Sequence, residues 1–129
     1  MPGSDVYLGN PNLKKANTQQ EFTEENIIEF VRCKNDPVYF TEKHIKIVNV
    51  DEGLVPFSMY KFQKKLIKNF HKNRFNICKM PRQTGKSTTV VSFLLHYAIF
   101  NDNVNIGIHA NKAATARDLL CRLQLAYEN

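Results

Sequence analysis

Five stretches of the chain place apolar residues at helical spacing. Thr23 can cap the first stretch, and Asn35-Asp36-Pro37 ends it because the residue before a proline is pushed out of the helical region. In the third stretch, apolar residues three and four positions apart form one face and lysines occupy the other. The pattern predicts helices over about 23–34, 38–44, 59–72, 85–100 and 112–127.

Three shorter stretches favour a strand instead. They cover residues 45–50, 75–79 and 104–108, and their apolar residues are largely β-branched. In the second half of the chain these strands alternate with helices, an order that favours right-handed crossovers and a parallel sheet. Residues 1–21 are polar and are predicted to form a flexible leader.

Composition narrows the class of protein. The chain has 129 residues, 43% hydrophobic and 23% charged, which is typical of one small globular domain or part of a larger one. No stretch reaches the roughly 18 apolar residues of a membrane span, and the first ten residues lack a signal-peptide core. Cys33, Cys78 and Cys121 are odd in number and far apart, which argues against a disulfide framework and favours a reducing, intracellular compartment.

The net charge of +6 is distributed unevenly. Residues 1–50 carry six basic against seven acidic side chains, whereas residues 51–129 carry twelve against five. Nine basic residues and no acidic one lie between Lys61 and Lys86. A field of this sign attracts polyanions such as nucleotide phosphates or nucleic acid. A solvated, lysine-rich face is the alternative that composition leaves open.

The clearest chemical signal is the segment Met80-Pro81-Arg82-Gln83-Thr84-Gly85-Lys86-Ser87, here called the 80–87 loop. It lies between a predicted strand and a predicted helix, like the phosphate loop GxxxxGK[ST], although Met80 replaces the first glycine. Gly85 lets the backbone approach phosphates closely, and amide groups at a helix N-terminus attract anions. Lys86 would then reach the phosphates and the Ser87 hydroxyl would ligate Mg²⁺. The loop therefore predicts nucleotide binding.

Arg82 lies inside this loop and has two interpretations. It is close enough to a γ-phosphate to act as an arginine finger supplied in cis, and it could equally be a solvent-facing arginine. The four histidines are not spaced as metal ligands and are interpreted as surface or core residues.

The 80–87 loop resembles the Walker A signature of the large terminase subunits of tailed bacteriophages, which often lacks the first glycine and carries an arginine. Residues 36–57 resemble the lead-in of T4-like large terminases, and Tyr60-Lys61-Phe62-Gln63 is similar to their adenine-recognising element. Residues 107–112 resemble their second strand and the following loop. The resemblance covers about residues 22–129 and implies an α/β fold: a P-loop NTPase with an incomplete parallel sheet, preceded by a small helical subdomain.

The resemblance also implies a site and its cofactors, ATP and Mg²⁺. Arg82 takes the catalytic role, Gln63 recognises adenine, and Ser87 is the metal ligand. A glutamine amide can both donate to and accept from an adenine edge, although without the resemblance an exposed helix glutamine is the simpler interpretation. The cofactor-binding residues are Gln63, Gln83, Thr84, Gly85, Lys86 and Ser87.

Members of this family hydrolyse ATP to translocate double-stranded DNA into a procapsid. The resemblance therefore implies three partners: double-stranded DNA, the portal protein and the small terminase subunit, with no membrane involved. The implied location is the cytoplasm of the infected bacterial host, and transiently the portal vertex of the procapsid.

The sequence departs from the family pattern after the loop. The acidic residues beyond Lys86 are Asp102, Asp118 and Glu128, and none ends an apolar run as a Walker B Asp-Glu pair would. The coupling motif and the nuclease domain are also missing. The chain is therefore expected to be inactive alone. It is interpreted as a fragment, as the product of a split gene in which a separate chain supplies the remainder, or as a truncated reading frame.

The expected domain divisions are a leader (1–21), a helical subdomain with lead-in (22–58) and the first part of the ATPase domain (59–129). Two alternative functions remain. One is a fragment of a helicase-like or restriction-type DNA translocase, and the other is a non-catalytic basic module for DNA binding or assembly.

Overall fold

Five helices and two small sheets make up the regular structure of this protein. The structure is a computed structural model and describes residues 5–129. All five predicted helices are confirmed, with ends within a few residues of those expected. The helices are α1 (Glu24–Asn35), α2 (Pro37–His44), α3 (Lys61–Lys72), α4 (Lys86–Phe100) and α5 (Ala113–Glu128); the strands are β1 (Val6–Tyr7), β2 (Asn10–Lys14), β3 (Lys46–Asn49) and β4 (Gly53–Pro56).

Local capping explains the boundary between the first two helices. The Thr23 side chain accepts a hydrogen bond from the Asn26 N–H at the start of α1. Asp36 then ends α1 and begins α2, where its carboxylate accepts from two backbone N–H groups at 3.0 Å. Pro37 occupies the first position of α2, where no N–H is needed. The sequence therefore determined this helix–helix junction locally.

Both sheets are antiparallel pairs. β1 pairs with β2, and β3 pairs with β4 so that Lys46 lies opposite Pro56 and Asn49 opposite Gly53. The strand predicted over residues 45–50 is confirmed as β3, whereas its partner β4 was not predicted. Residues 1–4 of the predicted leader lie outside the described residues, and β1 and β2 form within the rest of it.

The predicted fold class is wrong. Across residues 5–129 the sheets hold no parallel pair, so the predicted parallel sheet of a P-loop NTPase is absent. The predicted strands 75–79 and 104–108 make no backbone–backbone hydrogen bonds within that range. A segment forms a strand only when a neighbouring strand hydrogen-bonds to it. An apolar, β-branched composition gives the segment a propensity for extended structure but does not supply that neighbour. The architecture is mixed α/β, with five helices and two antiparallel pairs.

The hydrophobic core lies among α1, α2, α3, α4 and the residues flanking the β3–β4 hairpin. α5 contacts α4, but no residue of α5 is buried. Among the described residues, all the buried ones therefore lie between Cys33 and His96. The core residues are Cys33, Val38, Phe40, Ile45, Phe57, Met59, Ile67 and Leu95.

Several apolar helix faces are more exposed than their periodicity suggested. Ile28 of α1 is 68% exposed, and Leu120 and Tyr127 of α5 are more than half exposed. Along α4, Leu95 is buried while Ile99 is exposed, so the helix is not enclosed all round. Among residues 5–129, each helix is too short or too polar to cross a membrane.

Candidate functional site

The 80–87 loop turns sharply into the first turn of α4. Gly85 has φ +69° and ψ +18° immediately before the helix, a left-handed conformation that glycine adopts without strain. Gln83 also has a positive φ, of +60°. The Thr89 N–H donates to the Gly85 carbonyl and begins the helical hydrogen-bond pattern. The backbone N–H groups before Thr89 have no carbonyl acceptor within α4, as in the first turn of any helix. They are therefore available to an anion.

Two side chains close the loop on itself. The Thr84 hydroxyl donates to the Pro81 carbonyl at 3.0 Å. Lys86 Nζ donates to the Met80 carbonyl at 3.3 Å, joining the first residue of the loop to the start of α4. The Lys86 ammonium is therefore folded back along the loop while its side chain remains exposed.

Gln63 holds the loop against α3. Its side chain is only 3% exposed, its Oε1 accepts from the Tyr60 N–H at 2.9 Å, and its Nε2 donates to the Thr84 carbonyl at 3.4 Å. A Cβ added to Gly85 would lie 2.7 Å from Gln63 Nε2. Gln63 and the loop therefore fit closely. The resemblance implied adenine recognition for this residue, and that role stays a prediction. The simpler interpretation, an exposed helix glutamine, is wrong, because Gln63 is buried.

The structure brings most of the predicted site residues together. Gln63 donates to the Thr84 carbonyl and lies against Gly85. Lys86 donates to the Met80 carbonyl, and Ser87 lines an apolar cavity of about 270 Å³ beside Lys86. Arg82 and Gln83 are exposed, and within residues 5–129 neither makes a side-chain hydrogen bond or ion pair. The catalytic role of Arg82 therefore stays a prediction.

A basic stripe lies on the exposed face of α3. Its members are separated by four, three and four residues, so they share one side of the helix. Lys64 forms an ion pair with Glu42 at 2.7 Å, but none of the four stripe residues forms one within residues 5–129. The stripe consists of Lys61, Lys65, Lys68 and Lys72, all exposed.

Sequence reasoning missed a polar cluster centred on Glu29. Its carboxylate accepts from Lys43 Nζ at 2.9 Å, His44 Nε2 at 3.0 Å and the Tyr39 hydroxyl at 3.1 Å. Hydrogen bonds from Lys43 and then His44 lower the pKa of Glu29 to about 2. These contacts join α1 to α2. No local sequence pattern predicts them, because the partners come from two different helices.

Glu29, Cys33 and His44 also bring three potential metal-ligand atoms within 4.8 Å of one another. Burial raises the pKa of the Cys33 thiol to about 11, so at neutral pH it stays protonated. The Lys43 ammonium already neutralises the Glu29 carboxylate. Both features disfavour a divalent cation, and the cluster is best explained as a helix–helix junction.

No protein-family model matches the chain. The resemblance to large terminase subunits therefore stays a prediction, based on the residues that carry it.

Proposed function

We propose that the 80–87 loop binds the phosphates of ATP with Mg²⁺, and that the chain is the N-terminal portion of a phage terminase large subunit, the motor that drives double-stranded DNA into the procapsid. The observation that carries the proposal is the left-handed Gly85 at the N-terminus of α4, with Lys86 folded back along the loop. The proposal rests on this loop and on the resemblance, and it does not depend on a parallel sheet.

The residues of the loop suit a triphosphate. The first backbone N–H groups of α4 would receive phosphate oxygens, where the helix dipole also favours negative charge. Lys86 would exchange its exposed 3.3 Å bond to the Met80 carbonyl for a phosphate oxygen. Both bonds have the same ionised donor, but a phosphate oxygen also carries negative charge, so the exchange adds Coulomb attraction. Ser87 would supply one Mg²⁺ ligand, and water and phosphate oxygens would supply the others, as Mg²⁺ usually requires.

Adenine recognition would use the surface beside Gln63. Tyr60 and Phe62 stack with ring centroids 5.8 Å apart and planes inclined by 8°, and both rings are exposed. An exposed aromatic face can stack against a purine. Because Gln63 Nε2 is held by the Thr84 carbonyl, base recognition would couple directly to the phosphate loop.

The remaining parts of the proposal follow from the resemblance. Arg82 would stabilise the transferring phosphoryl group, and the portal protein and small terminase subunit would be partners at the portal vertex in the host cytoplasm. A separate chain would supply the metal-ordering carboxylates and the nuclease. Helicase-like and restriction-type translocases share the same nucleotide chemistry and are distinguished by that second chain.

The first prediction is that Lys86→Ala weakens ATP–Mg²⁺ binding by at least tenfold, because the lysine provides a positive charge at the loop. Calorimetric titration of the full chain measures this affinity. Lys68→Ala is the matched control, since it removes an exposed lysine from α3, and it should change the affinity less than twofold. Equal affinities for Lys86→Ala and the unmodified chain would refute phosphate binding at this loop.

The basic stripe on α3, which forms no ion pair within residues 5–129, supports a second candidate, a non-catalytic module that binds DNA through phosphate contacts. Such binding weakens steeply as salt rises. Two results together would favour this candidate over the motor. Lys65→Ala and Lys68→Ala would abolish DNA binding, and Lys86→Ala would change neither the affinity for DNA nor the affinity for ATP.

A further inference from the structure

α1 has two faces, and its packing against the rest of the chain uses one of them. On this inner face Glu29 binds Lys43 of α2, Cys33 is buried, and the ring of Phe30 lies 5.1 Å from that of Phe100 in α4. The opposite side, here called the outer face, consists of positions 24, 27, 28, 31, 34 and 35. At about 100° per residue, these positions fall within an arc of about 120°. All six residues are exposed.

The centre of the outer face is apolar. Ile27 is 53% exposed, Ile28 is 68% exposed and Val31 is 49% exposed. Phe22, which precedes the cap Thr23, adds a fourth exposed apolar side chain next to this centre. A contiguous group of exposed apolar side chains on a helix is typical of a contact surface, because covering it removes apolar area from water.

The two ends of the outer face carry opposite charges. Glu24 and Glu25 lie in the first turn of α1, and Arg32 and Lys34 lie in the last. The Arg32 guanidinium lies 3.9 Å from the centroid of the Tyr39 ring, so Lys34 is the cation of the outer face. Within residues 5–129, neither Glu24 nor Lys34 forms an ion pair. This order of charges also favours the dipole of a single helix, so the apolar centre is the feature that calls for a partner.

The outer face is complementary to itself when two copies run in opposite directions. Ten positions separate Glu24 from Lys34, which is about 15 Å along the helix. In an antiparallel pair, this spacing places Glu24 of each copy beside Lys34 of the other at both ends. The same register places Ile27 of each copy opposite Val31 of the other, and the two Ile28 side chains meet near the two-fold axis. A two-fold interface requires such self-complementarity, whereas a parallel pair would bring like charges together.

We propose that the outer face of α1 is a dimerisation surface, on which a second copy of this chain packs its own α1 antiparallel about a two-fold axis. The apolar centre provides the attraction, and the contacts between Glu24 and Lys34 determine direction and register. A helix strip of about 18 Å by 10 Å is smaller than the roughly 800 Å² that each partner buries in a stable interface. The dimer is therefore weak and reversible. Its residues lie outside the 80–87 loop, so it does not depend on nucleotide binding.

The first test is sedimentation equilibrium of the full chain at concentrations from about 10 µM to 1 mM, the range in which a weak dimer forms. The expected result is a reversible monomer–dimer equilibrium. Glu24→Lys would place lysine beside lysine at both ends of the dimer, and Lys34→Glu would place glutamate beside glutamate. Each variant alone should therefore dimerise at least fivefold more weakly than the unmodified chain.

An equimolar mixture of these two variants is the decisive measurement. In a mixed dimer, Lys introduced at position 24 of one copy lies beside Glu introduced at position 34 of the other, and the original Glu24 and Lys34 meet at the opposite end. The mixture should therefore associate within twofold of the unmodified chain. A variant that merely disturbed the folding of α1 would not recover on mixing.

The apolar centre is tested by Ile28→Lys, which brings two lysines together near the two-fold axis and should weaken dimerisation at least tenfold. Val48→Lys is the matched control. Val48 lies in β3, away from α1, and its side chain is 63% exposed, so this change should alter the dimerisation constant less than twofold.

Three results would overturn the proposal. The first is a chain that remains monomeric over the whole concentration range. The second is a mixture of Glu24→Lys and Lys34→Glu that associates no better than either variant alone. The third is equal weakening by Ile28→Lys and Val48→Lys, because association would then use a surface other than the outer face of α1.

Discussion

Gly85 and Gln63 constrain each other at the 80–87 loop. Gly85 needs a left-handed backbone to begin α4, and Gln63 needs the space where any other residue at position 85 would place its Cβ. Position 85 therefore requires glycine for two separate reasons, one conformational and one steric. The motif alone predicts only that glycine permits a close approach of phosphate.

The second prediction is that Gly85→Ala destabilises the protein by more than the conformational cost of about 1–2 kcal/mol for a left-handed alanine. The added Cβ would meet Gln63 Nε2 at 2.7 Å and displace it from the Thr84 carbonyl. Urea unfolding measures the difference in free energy.

Gly53→Ala is the matched control for this prediction. Gly53 has a similar φ of +75°, but nothing lies within 4 Å of its added Cβ. It should therefore show the conformational cost alone. Equal losses of stability for the two variants would show that the close contact between Gln63 and a Cβ at position 85 costs no stability.

At the scale of elements, α4 connects the candidate site to the core. Its first residue, Lys86, belongs to the loop, and near its other end the buried His96 donates from Nε2 to the Cys33 carbonyl at 2.8 Å. His96 also packs edge-on against Phe40 of α2, with centroids 5.3 Å apart. One side chain thus joins three helices.

The third prediction concerns the pH dependence of this junction. Burial lowers the pKa of His96 below 6.5, so between that lowered pKa and 6.5 the unfolded chain binds more protons than the folded one. Stability is then fully present above about pH 6.5 and falls as the pH drops through that value towards the lowered pKa. Thermal unfolding between pH 8 and pH 5 measures the effect.

His96→Gln should lose part of this pH dependence, because glutamine does not titrate. The exposed His109 is the control, and His109→Gln should retain the dependence of the unmodified chain. If His96→Gln and the unmodified chain lose stability identically on acidification, then His96 is not the group responsible.

At the scale of the whole molecule, the packing is uneven. The core ends at α4, α5 buries no residue, and residues 75–79 are exposed. α5 packs on α4 without adding to the buried core.

The fourth prediction is that the chain alone does not hydrolyse ATP above the level of its Lys86→Ala variant. Asp102 follows the far end of α4, about 22 Å from the loop along the helix. Asp118 is held by Arg122 at 3.0 Å. Neither is free near the loop to order Mg²⁺ or water. Phosphate release from ATP measures turnover, and a rate well above that of Lys86→Ala would contradict the prediction.

The sequence by itself determined the helices and the position of the loop. Helix formation depends on neighbours a few residues apart, so the caps Thr23 and Asp36, together with the spacing of apolar residues, were sufficient. The pattern Gly85-Lys86-Ser87 likewise located a loop whose geometry is set by one residue and the helix that follows.

Only the tertiary structure decided which segments became strands and which apolar faces became buried. Strand pairing joins residues that are distant along the chain, so the composition of 75–79 and 104–108 could not reveal that, within residues 5–129, neither makes a backbone–backbone hydrogen bond. The same reason applies to Gln63 and Glu29, whose contacts come from other elements. Periodicity identified the apolar face of α5, but burial requires a second surface, and the fold supplies none that covers Tyr127.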